Sequence, residues 1–312
     1  MQATENNSKK TKKLAKITDK NKFGYFFILP FFVVFALFNL YPTLYTIYLS
    51  FVDIAGFNLE GNFIGFQNFS YLLTNNLFLQ ATFNTILLWI VNFIPQITLA
   101  MILAYWWTNY QLKLKGQGFW KSIFYFPNII TAASVAVLFF TLFDYPRGPI
   151  NLLLVNWGVL EAPFDFFRSE FATRGIVSFI QFWMWYGQTA IVLTAGILSI
   201  DKSLYEAAVI DGATAWQTFR KITLPLLKPI TLYVLITSLV GGLQMFDIPL
   251  LLTNGGPNSS VETLMTYIYK QSVQAGRNVS IAAAASVYLL IITVTLSVII
   301  FFFVRDKDER KA

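Results

Sequence analysis

Residues 201–229 read DKSLYEAAVIDGATAWQTFRKITLPLLKP and separate two apolar runs, Ile176–Ile200 and Ile230–Phe246. About 20 apolar residues in a helix cross the ~30 Å hydrocarbon core of a bilayer. Backbone groups in lipid must be hydrogen-bonded internally, so each run is predicted to be a transmembrane helix. The chain therefore places a polar segment with a turn signal, Asp211-Gly212, on one side of a membrane directly before a span.

Four further apolar runs of similar length indicate an all-α polytopic membrane protein with six transmembrane helices. The composition agrees, since 56% of the residues are hydrophobic and 12% are charged, against about 25% charged in soluble domains. The predicted spans are Gly24–Val52, a run within Ala81–Tyr110, Ile123–Phe143, Ile176–Ile200, Ile230–Phe246 continuing past Asp247 to Leu252, and Val279–Val304.

The basic residues are distributed unevenly between the two sides of this topology. Of the 23 Lys and Arg residues, 18 lie in the two tails and in the second and fourth loops. Basic residues favour the cytoplasmic side, so both termini and residues 201–229 are predicted to be cytoplasmic. The predicted organisation is a Lys-rich tail (1–22), a transmembrane domain (23–304) and a short tail (305–312). This topology accounts for the net charge of +7 without a nucleic-acid partner.

The chain contains neither Cys nor His. Disulfides, thiol catalysis, histidine-centred metal sites and histidine proton relays are therefore excluded. The first apolar run is too long for a signal-peptide core, and we expect it to stay as a membrane anchor. No catalytic residue, metal site or cofactor site is predicted in the chain itself.

The polar segment 201–229 has the pattern of two short helices joined by a turn. Glu206, Ala207 and Ala208 read as the first helix, and Asp211-Gly212 ends it, since Gly readily adopts the left-handed conformation. A second helix is predicted over residues 214–222, with Leu224-Pro225 as its stop. Pro229 fits the first turn of the next span. An ordinary cytoplasmic loop is the alternative interpretation.

This pattern, E-A-A followed by D-G-A, Phe219, Ile222, Leu224-Pro225 and Pro229, resembles the EAA loop of binding-protein-dependent ABC importer permeases. Other stretches resemble the maltose-type sugar branch of that family: Gly65–Phe69, Asn84-Thr85, Phe126-Pro127, Gly148 with Asn151, and Leu252–Pro257. The resemblance implies a type I ABC importer permease fold. It also implies that the EAA loop is a coupling helix seated in an ATPase cleft, formed here by Glu206, Ala207, Ala208, Asp211, Gly212 and Ala213.

The partners that the resemblance implies are a second related permease subunit, two ABC ATPase subunits and an extracytoplasmic solute-binding protein. ATP and Mg would be bound by the ATPase subunits. The implied location is the plasma membrane of a bacterium or archaeon. The implied function is one half of the pathway for a sugar, with an oligosaccharide as the expected substrate.

Polar residues within spans are costly and often mark a transport path. Gln181, Met184, Trp185 and Gln188 have the spacing of one helical face, and they combine amides for sugar hydroxyls with an aromatic plane for the ring. Where the maltose-type family can show Asn, Gly and Tyr, this chain has Gln181, Trp185 and Gln188. The alternative is that the glutamines join helices by hydrogen bonds.

In the fifth span, Gly241, Gln244 and Asp247 have the spacing of one face, and Asp247 is the only carboxylate within a predicted span. We predict Gln244 and Asp247 as substrate-binding residues, together with Asn128 of the third span. Asp247 could instead be an interfacial residue near the outer end of the span. The alternative functions are a permease for another polar solute, such as a sugar or polyol phosphate, and an ion-coupled secondary transporter. The latter would need several intramembrane carboxylates or broken helices.

Overall fold

The computed structural model describes residues 21–54, 61–109, 115–274 and 278–304. The predicted tails 1–22 and 305–312 lie outside the described residues, apart from Asn21 and Lys22 at the start of the first helix. The helices are α1 (Asn21–Phe35), α2 (Tyr41–Leu49), α3 (Gln67–Thr74), α4 (Asn76–Thr108), α5 (Gln117–Ile129), α6 (Ala132–Leu142), α7 (Pro149–Asn156), α8 (Glu170–Leu198), α9 (Lys202–Ile210), α10 (Ala215–Thr218), α11 (Leu224–Leu226), α12 (Lys228–Leu243), α13 (Asp247–Thr253), α14 (Leu264–Val273) and α15 (Val279–Val304). Two short strands, β1 (Val52–Asp53) and β2 (Asn62–Phe63), pair antiparallel.

The described helices agree with the predicted polytopic membrane fold. Five helical segments are long and apolar enough to cross a bilayer, and a sixth is obtained when the bent pair α5 and α6 counts as one span. The five are Tyr25–Leu49, Asn76–Thr108, Glu170–Leu198, Lys228–Thr253 and Val279–Val304. The apolar window of the first segment is not buried by the rest of the chain, so this helix presents its side chains outward.

Two π-helical turns carry the chain past prolines. The first, Ala36–Leu40, precedes Pro42, and the second, Phe219–Thr223, precedes Pro225. In the second turn, the Leu224 N–H donates to the Phe219 carbonyl five residues back. In an α-helix, the Pro225 ring would oppose the carbonyl four residues back. The wider π-turn places a different carbonyl opposite the ring. The prediction that Leu224-Pro225 stops the helix was therefore wrong, since helical structure continues to Leu226.

The third apolar run is not one straight helix. Helices α5 and α6 meet at an angle of 88° across a break at Ile130 and Thr131. Thr131 caps α6, because its hydroxyl accepts a hydrogen bond from the Ser134 N–H at 3.3 Å. The bend directs the chain toward α13, against which α6 packs.

The fifth span is also broken, between Leu243 and Asp247. Pro249 explains the position of the break: it has no N–H for the carbonyl of Met245, four residues back, and its ring would clash with that carbonyl in a helix. Gly241, Gln244 and Asp247 therefore do not lie on one continuous helix, contrary to the prediction. Pro229 lies in the first turn of α12, as predicted.

The centre of the described bundle is the packing of α4 against α8, with α5 and α12 beside them. Two glycines allow close approach. A Cβ at Gly187 on α8 would overlap the Phe124 carbonyl oxygen on α5, and one at Gly242 on α12 would overlap the Trp89 ring on α4. These contacts fix α8 against α5 and α12 against α4, and so position the cavity between α4, α8 and α12.

Candidate functional site

A cavity of about 320 Å³ lies between α4, α8, α12 and the break in the fifth span. It brings together five of the six predicted substrate-binding residues: Gln181, Trp185, Gln188, Gln244 and Asp247. Three of them come from one face of α8, and two come from either end of the break before α13. The broken span thus places Gln244 and Asp247 at the same cavity without a shared helix face.

The predicted polar side chains have hydrogen-bonding groups to offer a solute. In the part of the chain that the structure describes, no side-chain hydrogen bond or ion pair engages Gln181, Gln188, Gln244 or Asp247. Trp185 is 44% exposed, and its ring forms part of the wall. Among the described residues, the two α8 glutamines do not join helices by hydrogen bonds. The arrangement offers amide groups, one carboxylate and an aromatic face to a ligand that carries many hydroxyls.

Two further lining residues, Asn92 and Gln96 on α4, were not predicted. Both are buried. Gln96 Nε2 donates to Thr189 Oγ1 at 2.8 Å, and Asn92 Nδ2 donates to the Leu88 carbonyl at 2.7 Å. The alternative role predicted for the α8 glutamines was a hydrogen bond between helices. Gln96 makes such a bond instead, from α4 to α8. Asn92 and Gln96 lie four residues apart within an apolar run, and this spacing is a sequence signal that could have identified them.

Asn128 is the predicted site residue that the cavity does not include. It lies near the end of α5, one residue after Pro127 and just before the bend into α6, and it is half-buried. The structure does not bring it together with the other candidates. Its proposed contact with a solute stays a prediction that the cavity geometry does not support.

A buried threonine holds the break in the fifth span. Thr263 Oγ1 donates to the Met245 carbonyl at 2.6 Å and so replaces the donor that Pro249 lacks. The residue after it is held as well, since the Leu264 N–H donates to Thr85 Oγ1 on α4 at 2.9 Å. The loop before α14 therefore determines the backbone that carries Gln244 and Asp247.

The same loop is attached to the bundle at a second point. Asn84 Nδ2 donates to the carbonyls of Ser259 (2.7 Å) and Glu262 (3.1 Å). Arg174 on α8 donates to the Ser260 carbonyl at 3.0 Å and to Asn84 Oδ1 at 3.2 Å. The loop is thus fixed to both α4 and α8, at the end of the bundle opposite to α9.

The segment around α9 has the geometry of a rigid helix with a defined end. The Ser203 N–H donates to Asp201 Oδ1 at 2.9 Å at the start of the helix, and this bond lowers the pKa of the Asp201 carboxyl. At its end, the N–H groups of Gly212 and Ala213 donate to the carbonyls of Val209 and Ala208. Gly212 has φ +73°. These bonds form a Schellman motif, and the predicted left-handed helix end at Asp211-Gly212 is confirmed.

The α9 helix leaves most of its surface free and is attached at a few points. Glu206, Ala207, Asp211 and Gly212 are exposed, whereas Ala208 is buried. Two apolar side chains next to them, Val209 (64%) and Ile210 (85%), are also exposed. An exposed apolar surface beside charged residues is typical of a protein-binding site.

Aromatic and hydroxyl contacts attach this segment to the spans. Tyr205 on α9 and Thr223 share a hydrogen bond of 3.1 Å between their hydroxyl oxygens. The Tyr105 ring at the end of α4 packs edge-on against Phe219, with centroids 5.1 Å apart. These contacts connect α9 to the π-turn Phe219–Thr223 before the fifth span, and connect that turn to the end of α4.

Comparison with known proteins identifies the family. The sequence model of the binding-protein-dependent transport system inner membrane component family matches residues 77–308. The chain belongs to this family. It is thus a membrane component of a transport system, and the predicted resemblance to ABC importer permeases is confirmed.

Several relatives are similar over most of their length. The lactose transport system permease protein LacF of Rhizobium radiobacter is 32% identical over 286 residues, which cover 91% of this chain and 94% of that protein. The arabinooligosaccharides transport system permease protein AraP of Bacillus subtilis is 31% identical, with 88% and 86% covered. A crystal structure of a bacterial ABC transporter that imports the acidic polysaccharide alginate has a chain that is 27% identical. It gives a TM-score of 0.78 and covers 94% of this chain and 98% of that one.

Proposed function

We propose that this chain is the membrane subunit that forms half of the translocation pathway for a sugar in an ATP-driven importer. The observation that carries the proposal is the cavity, which three glutamines and one carboxylate line together with Trp185, without side-chain partners among the described residues. Amide groups match sugar hydroxyls, and an aromatic plane matches the apolar face of a pyranose ring. The permeases of lactose and arabinooligosaccharide systems among the relatives support a sugar as the solute.

We further propose that α9 and the turn after it are the coupling segment. Glu206, Ala207, Ala208, Asp211, Gly212 and Ala213 would lie in a cleft of an ATPase subunit. Closure of the ATPase dimer on ATP would move α9 as a rigid body. The contacts of Tyr205 with Thr223, and of Tyr105 with Phe219, would carry this movement to the spans that line the cavity.

The assembly proposed around this chain contains a second permease subunit, two ATPase subunits that bind ATP and Mg, and an extracytoplasmic solute-binding protein. This chain would contribute no catalytic group. Its α9 end and both termini would face the cytoplasm of a bacterial or archaeal cell, as the distribution of basic residues predicts. The alginate importer whose structure is similar was crystallised with a periplasmic protein that carries an alginate pentasaccharide, which supports a binding-protein partner.

The test uses the complete importer, reconstituted with its binding protein, and a pair of variants at Gly212. A Cβ at this position meets no neighbour within 4 Å, so within this chain a substitution acts through the backbone alone. Gly212→Val should disfavour the left-handed turn by roughly 1–2 kcal/mol, whereas Gly212→Asn tolerates it better. We expect the loaded binding protein to stimulate ATP hydrolysis by the importer that carries Gly212→Asn. The importer that carries Gly212→Val should lose this stimulation. Normal stimulation in the Val variant would contradict the coupling role.

An ion-coupled secondary transporter is the rival function that the sequence left open, and membership of the binding-protein-dependent family argues against it. The two broken spans fit that class, since transporters place ion sites at broken helices. However, Asp247 is the only carboxylate among the described lining residues, and the chain has no His. Uptake that persists with the ATPase subunits inactivated, and that follows an ion gradient, would favour the rival.

A further inference from the structure

The charge of the cavity wall bears on the class of solute that can enter it. Among its described lining residues, Asp247 carries the only formal charge, and no Lys or Arg contributes to the wall. The other polar groups are amides and hydroxyls, which can bind a hydroxyl or a ring oxygen but add no charge. The described wall of this cavity therefore carries one negative formal charge.

The nearby basic side chains at the same end of the bundle are engaged elsewhere. Arg174 donates to the Ser260 carbonyl and to Asn84 Oδ1. Lys270 forms an ion pair with Glu262 at 2.9 Å and donates to the Asn254 carbonyl. Neither residue belongs to the cavity wall. The Asp247 carboxylate thus has no cationic partner within the described part of the chain.

From this geometry we infer that the cavity selects a neutral sugar and disfavours acidic sugars and sugar phosphates. The inference rests on the proposed function and deepens it by naming the substrate class. Asp247 would accept hydrogen bonds from hydroxyls of a neutral sugar and repel a uronate or phosphate. The relatives include importers of both classes, since one carries lactose and another carries an acidic polysaccharide, so sequence similarity by itself does not decide between them.

The size of the effect follows from Coulomb's law. A like charge about 6 Å away, at an effective dielectric constant of about 20–40, disfavours an anion by roughly ten- to a hundredfold. A cation is favoured by a similar factor. A neutral sugar experiences neither effect and gains the hydrogen bonds of the amides and the carboxylate. A single carboxylate is therefore enough to separate the two substrate classes.

The charge can be tested without knowledge of the substrate, because the native chain has no Cys. In the complete importer, Gln244→Cys places a thiol in the cavity wall next to the carboxylate. The rates of modification by a cationic and an anionic methanethiosulfonate are compared. A Cys at the exposed position Val159, outside the cavity wall, gives the reference ratio.

We expect the cationic reagent to be favoured at least tenfold over the reference ratio at this thiol. The added substitution Asp247→Asn should remove most of that preference. Asp144→Asn is the matched control, because Asp144 is an exposed carboxylate outside the cavity wall and should leave the ratio unchanged. A ratio that does not respond to Asp247→Asn overturns the inference. Poor assembly of the Asp247→Asn complex also overturns it, since the carboxylate would then serve contact with another subunit.

A second measurement addresses the sugar itself. The purified binding protein is screened by thermal shift against lactose, arabinotriose and maltotriose, and against alginate and galacturonate trisaccharides. Stabilisation by a neutral sugar, followed by its uptake through the importer, supports the inference. Uptake of an acidic trisaccharide at the rate of a neutral one overturns it. A binding protein that retains only solutes other than sugars contradicts the proposed function, while the labelling ratio still decides the charge of the cavity.

Discussion

The contact between Thr263 and Met245 predicts that a residue outside the cavity controls substrate affinity. Thr263→Val keeps the shape of the side chain but removes the hydroxyl that donates to the Met245 carbonyl at 2.6 Å. Both residues are buried, and Pro249 cannot supply a replacement N–H. The break that carries Gln244 and Asp247 would therefore lose the bond that holds it.

The magnitude follows from the bonds that are lost. An unsatisfied buried carbonyl costs about 1–3 kcal/mol. The same hydroxyl also accepts from the Thr266 N–H at 3.3 Å as the cap of α14, and loss of a cap costs about 0.5–2 kcal/mol. Thr263→Ser is the matched control, because it keeps both bonds and loses one methyl group worth about 0.8 kcal/mol.

The assay compares the two variants in the reconstituted importer by the KM of sugar uptake and the thermal stability of the purified complex. We expect the Val variant to raise the KM by roughly tenfold, corresponding to about 1.4 kcal/mol of the lost bonding, and to lower the melting temperature. The Ser variant should remain close to the native protein in both. Equal KM values for Val and Ser would refute the view that this contact positions the cavity residues.

Three further predictions concern the cavity, the coupling segment and the topology. Gln181→Ala and Gln188→Ala should each weaken uptake by up to about tenfold, since a lost neutral hydrogen bond is worth about 0.5–1.5 kcal/mol; unchanged uptake per purified complex would exclude this face from the pathway. Tyr205→Phe removes the hydrogen bond to Thr223 but keeps the ring, and we expect weaker coupling of ATP hydrolysis to transport with normal assembly; coupling equal to the native importer would speak against this contact. A Cys at Ser203 should resist membrane-impermeant reagents in intact cells, and its labelling would show that the proposed orientation is inverted.

The sequence alone determined the membrane class, the positions of the apolar runs, the turn at Asp211-Gly212 and the family. These features depend on local properties. Hydrophobic length decides what can cross a bilayer, and a glycine at a helix end determines the turn from a few neighbouring residues. The six residues of the EAA segment are likewise recognisable in the linear chain, because their spacing carries the pattern.

Only the tertiary structure decided how the cavity is built. Gln181, Trp185 and Gln188 were predicted from helical spacing, but their meeting with Gln244 and Asp247 depends on a break that helical spacing does not predict. That break is held by residues far apart in sequence, through the bonds from Thr263 to Met245 and from Leu264 to Thr85.

Two single residues show that a local signal does not determine the structure around it. Asn128 is polar and lies in an apolar run, which is the signal that identified the other candidates, yet the 88° bend leaves it outside the cavity wall. Pro225 carries a local stop signal, but a π-turn passes it. The sequence shows which polar groups need hydrogen-bond partners, but the packing of the helices determines which partners they meet. Hydrogen bonds between residues that are distant along the chain produce no periodic pattern in the sequence.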